Sequence, residues 1–179
     1  AGCKTNVTQV VDAGNRLTLY ASIGMSYYPF RERSVAAIYD SIRSLLPASL
    51  ARRRAIVERY ERNLGECDVE LLRHYGEDFE SSGHLMLVRL LDKSRAFRDG
   101  LIERMAEDGI ATNVHYKPLP LLSAYRDLGF CIEDFPNALA QFENEITLPL
   151  HTLLSDEDVD YVAGSFKRAL DGLEAEGVR

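Results

Sequence analysis

Paired cysteines, long apolar runs and an excess of positive charge are all missing from this chain of 179 residues. Cys3, Cys67 and Cys131 are odd in number, far apart, and form no C-x-x-C pair. That spacing argues against a disulfide framework or a zinc site and for ordinary reduced thiols, with no metal expected. No apolar run approaches the roughly 20 residues that a membrane span needs. A formal net charge of −7 speaks against a general nucleic-acid or anionic-membrane surface. Lys4 is followed by neither an apolar block nor a small-residue cleavage site, so no signal peptide is expected and cytoplasm is the expected compartment. Asn6-Val7-Thr8 fits the N-glycosylation pattern, which has meaning only in a secreted chain.

What is present is ordinary globular material, with 46% hydrophobic and 27% charged residues and neither repeats nor low-complexity tracts. Such a length supports one domain with a full core. Residues 1–29 carry no clean helical period; Val10-Val11 and Leu17-Thr18-Leu19-Tyr20 read as short strands or loop. From Ser34 the pattern changes. Val35, Ile38, Tyr39, Ile42, Leu45 and Leu46 recur at helical spacing. Pro47 predicts a break or kink, because proline removes a donor and clashes with the preceding turn. A second helix is then predicted over 48–64, with Leu50, Ile56, Val57, Tyr60 and Leu64 as its apolar positions. Arg52-Arg53-Arg54 reads as a solvated helix face, with Glu58 and Glu61 supplying opposite charge nearby.

Beyond it, the sequence alternates strand and helix. His84–Leu91 reads as a buried strand, with His84 packing at its start. A helix is predicted from Ser94 to Glu107, with Phe97, Leu101, Ile102 and Met105 inward and Gly109 placed to end it. A short strand is predicted over Ala111–His115, then a Pro-rich loop from Lys117 to Leu122. A helix should start near Pro136, and a third strand should cover Ile146-Thr147-Leu148. Ser155 and Asp158 make a capping box for a last helix, whose inner face is Val159, Val162, Phe166, Leu170 and Leu173. Together these elements predict an α/β fold with a compact sheet covered by helices.

Four stretches carry a resemblance: His84-Leu85-Met86-Leu87-Val88-Arg89-Leu90, Val114-His115-Tyr116-Lys117-Pro118-Leu119 with Tyr125 after it, Phe135-Pro136-Asn137-Ala138, and Leu148-Pro149-Leu150-His151. In order and spacing the chain resembles the C-terminal part of the DegT/DnrJ/StrS sugar aminotransferases, which use pyridoxal phosphate (PLP), over about residues 24–170. The resemblance implies an α+β small domain with a small antiparallel or mixed sheet, as in the C-terminal domain of fold type I aminotransferases. It implies a division into a large-domain remnant or linker (1–33), connecting helices (34–64) and a C-terminal small domain (65–179).

It also implies site residues. Where the family reads Gly-x-Asn-x-Arg, this chain reads Gly24-Met25-Ser26-Tyr27-Tyr28. The family asparagine, which reaches the phosphate of the neighbouring subunit's PLP, corresponds to Ser26. The family arginine falls at Tyr28, or at Arg31 if the register slips around Pro29. A serine hydroxyl can donate one hydrogen bond to a phosphate, but tyrosine cannot clamp a carboxylate as arginine does. His115 and Tyr116 match the family's loop beside the substrate entrance, where they would meet sugar hydroxyls or the nucleotide diphosphate; read from the residues alone, His115 is a satisfied histidine at a strand end. Pro120 stands where the family often has a second histidine. His84 and His151 read as structural, and Phe135-Pro136-Asn137-Ala138 as a turn and helix start.

PLP chemistry needs an activated lysine amine. The chain has Lys4, Lys93, Lys117 and Lys167 and none of them fits: Lys93 and Lys167 read as solvated helix charges, Lys117 lies in the His-Tyr loop, and Lys4 lacks the Gly-rich run that follows the family lysine. No catalytic residue is therefore identified. The expected function is that of the C-terminal portion of an aminotransferase for a nucleotide-linked keto-sugar, inactive alone. A truncated, non-catalytic paralogue serving as a partner subunit is the alternative, and a self-contained sugar-nucleotide-binding domain is a weaker third. A homodimer, or a chain that supplies the large domain, is the expected partner. Ile38, Ile42, Leu45 and Val57 would otherwise expose a large apolar patch.

Overall fold

The computed structural model describes residues 5–12, 17–23 and 35–178, with side chains described from residue 43 onward. The chain divides into two compact units, Ala1–Ser49 and Leu50–Arg179. In the first, β1 (Thr5–Asp12) pairs antiparallel with β2 (Leu17–Ile23), with Val10 opposite Leu19 and a shift of register between Val7 and Gln9. Both stretches read as strand or loop in the sequence are therefore strands, each longer than the residues that suggested it.

Helix α1 runs from Val35 to Leu64 and passes through Pro47 without interruption. Of the break or kink expected at Leu46-Pro47, the break does not occur. The residues around the proline, Leu45, Leu46 and Ala48, are all exposed. Water can therefore satisfy the carbonyl that the missing N–H leaves free, which removes much of the penalty.

The second unit is built on an antiparallel sheet of three strands in the order β3 (Val69–Leu71), β4 (Met86–Leu90), β5 (Glu145–Leu148). The register places Leu90 opposite Val69 on one side of β4, and Met86 opposite Leu148 on the other. Because side chains alternate along a strand, Met86, Val88 and Leu90 share a face with Ile146 and Leu148, and all five are buried.

That face meets three helices: the second half of α1, α2 (Arg95–Glu107) and α5 (Asp156–Ala175). Their contributions recur at helical spacing: Ile56, Val57, Tyr60 and Leu64 from α1; Phe97, Leu101 and Met105 from α2; Val159, Val162, Phe166, Leu170 and Leu173 from α5. Val57 is thus wholly inside, which corrects its expected place in an exposed apolar patch; Leu45 is exposed, and the side chains of Ile38 and Ile42 lie outside those described. Tyr60 is accommodated in the core because its hydroxyl donates to the Pro149 carbonyl oxygen at 2.9 Å. Burial pushes its phenol well above the ordinary value.

Helix ends follow the expected chemistry. Ser94 caps α2 by accepting from the Phe97 N–H, and Gly109 follows the helix at a φ of +74°. Ser155 and Asp158 form a reciprocal capping box at α5. The arginine run is tied more widely than expected. Arg54 does pair with Glu58 at 3.0 Å, but Arg52 reaches across to Asp156 at 2.7 Å and to the Leu154 carbonyl. Arg59 grips both Asp156 and Asp160, and that guanidinium, with Asn63, holds the Asp160 carboxyl down at about 2.

Other expectations need adjusting. The predicted strand over Ala111–His115 is reduced to one antiparallel bridge, Asn113 with Thr147. Pro118 and Pro120 follow closely, and proline cannot continue a ladder. The loop contains one turn of 3-10 helix, Leu119–Leu121, then α3 (Ser123–Arg126), which the sequence did not announce. Helix α4 (Pro136–Asn144) begins at the expected proline. His84 is exposed and lies outside β4, so it does not pack at the start of that strand; Gly83, at a φ of +58°, turns the chain just before it. Among the described residues no helix is long and apolar enough to cross a membrane, and Cys67 and Cys131 are free thiols.

Candidate functional site

The edge of β5 away from β4 gathers polar chemistry. Asn113 and Thr147 exchange backbone hydrogen bonds at 2.7 and 3.2 Å. In an antiparallel register that bridge brings His115 opposite Glu145, since each step of two along one chain is matched by two back along the other. Side chains two apart share a face, so Glu145 and Thr147 point away from Ile146 and Leu148 and toward His115.

The contacts agree with that geometry. The His115 backbone N–H donates to Glu145 Oε2 at 2.9 Å, and the Thr147 hydroxyl donates to Glu145 Oε1. His115 Nδ1 lies 2.9 Å from Thr147 Oγ1. Glu145 is fully buried and Thr147 nearly so. His115 is half-buried, and Tyr116, 69% exposed, sets its ring edge-on to the imidazole with 4.5 Å between centroids. The site is therefore a buried carboxylate, a hydroxyl and an imidazole in line, ending at an exposed phenol.

Burial raises the Glu145 carboxyl above the ordinary glutamate value, while donation from Thr147 and from the His115 N–H pulls the other way. Arg89 stands opposite Glu145 across the β4–β5 pair, yet its guanidinium reaches Glu70 on β3 at 2.7 Å. Support from the other side comes through the backbone. Buried Arg98, on α2, donates to the Phe142 carbonyl at 2.8 Å and to the Glu145 carbonyl at 3.4 Å. It thereby ties the end of α4 to the start of β5.

Of the residues expected to serve a site, His115 and Tyr116 are brought together at this edge. Ser26, Tyr28, Arg31 and Lys4 lie outside the described residues. Pro120 is buried in the turn behind the loop. His151 is exposed in the turn after β5, and the start of α4 serves as a helix start, as expected. Sequence reasoning missed Glu145, Thr147 and Arg98. A signal for the first two existed: Glu145-x-Thr147 opens an otherwise apolar strand, and a carboxylate in such a strand has to find donors.

The described lysines do not suit covalent attachment of PLP. Lys93, expected on a helix face, lies just before α2 instead; its amine pairs with Glu174 at 2.6 Å and lies over the Phe97 ring. Lys117 is exposed in the loop. Lys167, on α5, borders an open groove together with Arg59, Arg62, Asn63 and Asp160. An aldimine-forming amine needs an enclosed site in which it is not already ion-paired. None of these three amines has one.

Comparison with known proteins places this edge in a family. Residues 34–167 match the DegT/DnrJ/EryC1/StrS aminotransferase family. The chain is 33% identical over 127 residues to dTDP-4-dehydro-2,3,6-trideoxy-D-glucose 4-aminotransferase of Saccharopolyspora spinosa, covering 70% of this chain and 31% of that protein. It is 26% identical over 126 residues to the spore coat polysaccharide biosynthesis protein SpsC of Bacillus subtilis, covering 69% and 32%. Among solved structures, the apo form of the putative sugar aminotransferase Spr1654 from Streptococcus pneumoniae superposes with a TM-score of 0.73 at 46% identity, over 75% of this chain and 34% of that one. The same protein is also known in a PLP form. The chain thus spans about a third of the length of these relatives. It belongs to the DegT/DnrJ/EryC1/StrS aminotransferase family.

Proposed function

From that membership we propose that this chain is the C-terminal portion of a PLP-dependent aminotransferase acting on a nucleotide-linked keto-sugar. We propose further that it does not transaminate alone. The observation that carries this reading is the family match over 34–167 combined with the lack, among the described lysines, of one suited to an aldimine. The parent reaction would be amino transfer from glutamate or glutamine. The S. spinosa relative, whose name specifies a dTDP-linked keto-sugar, supports that substrate class.

In this reading His115 and Tyr116 contact sugar hydroxyls or the nucleotide diphosphate. An imidazole held in place from behind and an exposed phenol suit such contacts. Ser26 and Tyr28 stand at the positions from which the family reaches the neighbouring subunit's cofactor. Residues 1–33 are the remnant of a large domain or a linker, 34–64 the connection, and 65–179 the small domain; the compartment is the cytoplasm. The partner is a second copy or a chain that supplies the large domain, docked along the part of α1 from Val35 to Leu46. No step of the transfer is assigned to residues of this chain.

The resemblance itself supports a second reading, a non-catalytic paralogue that serves as a partner subunit: it sets Ser26 where the family has its asparagine, and Tyr28, or Arg31 in a slipped register, where the family has its arginine. An absorbance spectrum of the purified chain with PLP, before and after borohydride, followed by intact mass, tests the common core of both. No aldimine band and no adduct are expected. A reduced adduct on a single lysine would overturn the claim that the chain builds no cofactor site.

A further inference from the structure

The line of groups at the edge of β5 fixes more than the position of His115. A threonine hydroxyl has a single proton to give, and Thr147 Oγ1 stands between two acceptors, Glu145 Oε1 and His115 Nδ1. Glu145 receives two donors, one at each oxygen: the Thr147 hydroxyl and the His115 backbone N–H, the latter at 2.9 Å. That is the pattern of an ionised, acceptor-only carboxylate. With the hydroxyl proton directed at Glu145, Thr147 Oγ1 offers only lone pairs to the imidazole. The proton of neutral His115 must then sit on Nδ1, 2.9 Å away. Nε2 is left as a lone-pair acceptor, and it makes no hydrogen bond to the described residues.

The geometry points to Glu145 and Thr147 as positioning residues that hold His115 in the Nδ1–H tautomer, so that its outward nitrogen accepts a hydrogen bond from a ligand hydroxyl and does not donate one to a phosphate. This rests on the reading of His115 as a substrate-contacting residue, and it narrows the contact: His115 reads a sugar hydroxyl, and the diphosphate is met by other groups. A histidine side chain in water favours the opposite tautomer, so the arrangement is a constraint supplied by the fold.

Glu145→Gln sharpens the inference because it nearly preserves shape and reverses the relay. The His115 backbone N–H still requires an acceptor, so the glutamine carbonyl turns toward it. Its amide then donates to Thr147 Oγ1, and the threonine proton turns to His115 Nδ1. The outward nitrogen becomes a donor.

Nitrogen-15 and carbon-13 shifts of the His115 ring in the full 179-residue chain, followed with rising pH to the plateau where they no longer change, report the tautomer of the neutral ring directly. The wild type should show Nδ1 protonated and Nε2 bare, Glu145→Gln should exchange the two, and Thr147→Ser should keep the wild-type pattern. A wild type with Nε2 protonated overturns the inference whatever the variants do, as does a Glu145→Gln spectrum equal to wild type. The outcome is separate from that of the functional reading. If the tautomer is as stated, yet a full-length relative with this loop grafted in binds its nucleotide-sugar unchanged after His115→Ala, the substrate role falls while the relay stands.

Discussion

The two faces of β4 and β5 obey opposite rules. On one, Met86, Val88, Leu90, Ile146 and Leu148 meet α1, α2 and α5 in a continuous apolar core. On the other, the same strand β5 carries Glu145 and Thr147, no less buried, whose stability depends on particular partners. Apolar packing is tolerant: many side chains of suitable size fill a core and the loss scales with volume. A buried carboxylate is intolerant, because each donor taken away leaves a charge without compensation. One strand of four residues thus does structural and polar work on alternate positions.

The largest effect expected from breaking this comparison lies on the apolar face. Ile146→Ala should lower the unfolding free energy by about 2–5 kcal/mol, the usual range for a buried aliphatic residue reduced to alanine. Denaturant unfolding measures it, and a loss well under that range would mean that the sheet is less tightly covered than its burial implies. Thr147→Val comes next. Valine matches threonine in shape and suits a strand, so packing is kept while Glu145 loses one donor and His115 Nδ1 loses its partner. A loss of about 1–3 kcal/mol is expected, the range for an unsatisfied buried polar group. Were the two faces alike, this nearly isosteric change would be neutral.

The contrast also explains what could be read from the sequence. The apolar face was legible residue by residue: Val159, Val162, Phe166, Leu170 and Leu173 stand at helical spacing and are all buried, and Ile56, Val57, Tyr60 and Leu64 likewise. Periodicity is local information, and so are the Ser155 cap and the proline that opens α4. Glu145 escaped notice for the reverse reason. Its partners are 30 residues away at His115 and at Thr147 two positions on, and only the Asn113–Thr147 bridge sets the register that joins them. The resemblance pointed to His115 and Tyr116 but not to what stands behind the imidazole. Pro47 misled because a proline's effect depends on whether water can reach the carbonyl it frees, and that is a property of the surroundings.

The smallest expected effect is one of pH. Burial is the dominant influence on Glu145 and raises its carboxyl above the ordinary value in the folded chain. Between the unfolded and folded values the native state keeps a proton that the unfolded state has released. The contribution of Glu145 to wild-type stability therefore falls as pH rises through that window, and levels off once the folded carboxyl ionises. Glu145→Gln has no such proton, so its stability relative to wild type should rise with pH from the ordinary glutamate range upward, then become constant. His74 is buried and its imidazole is lowered, so it makes stability rise with pH from the opposite side. Being present in both proteins, it cancels in the difference. Paired urea titrations across the acid range give that difference directly. A slope of the opposite sign would mean that the two donors stabilise the carboxylate more than burial penalises it, and the polar face would then join the apolar one as a net contributor to stability.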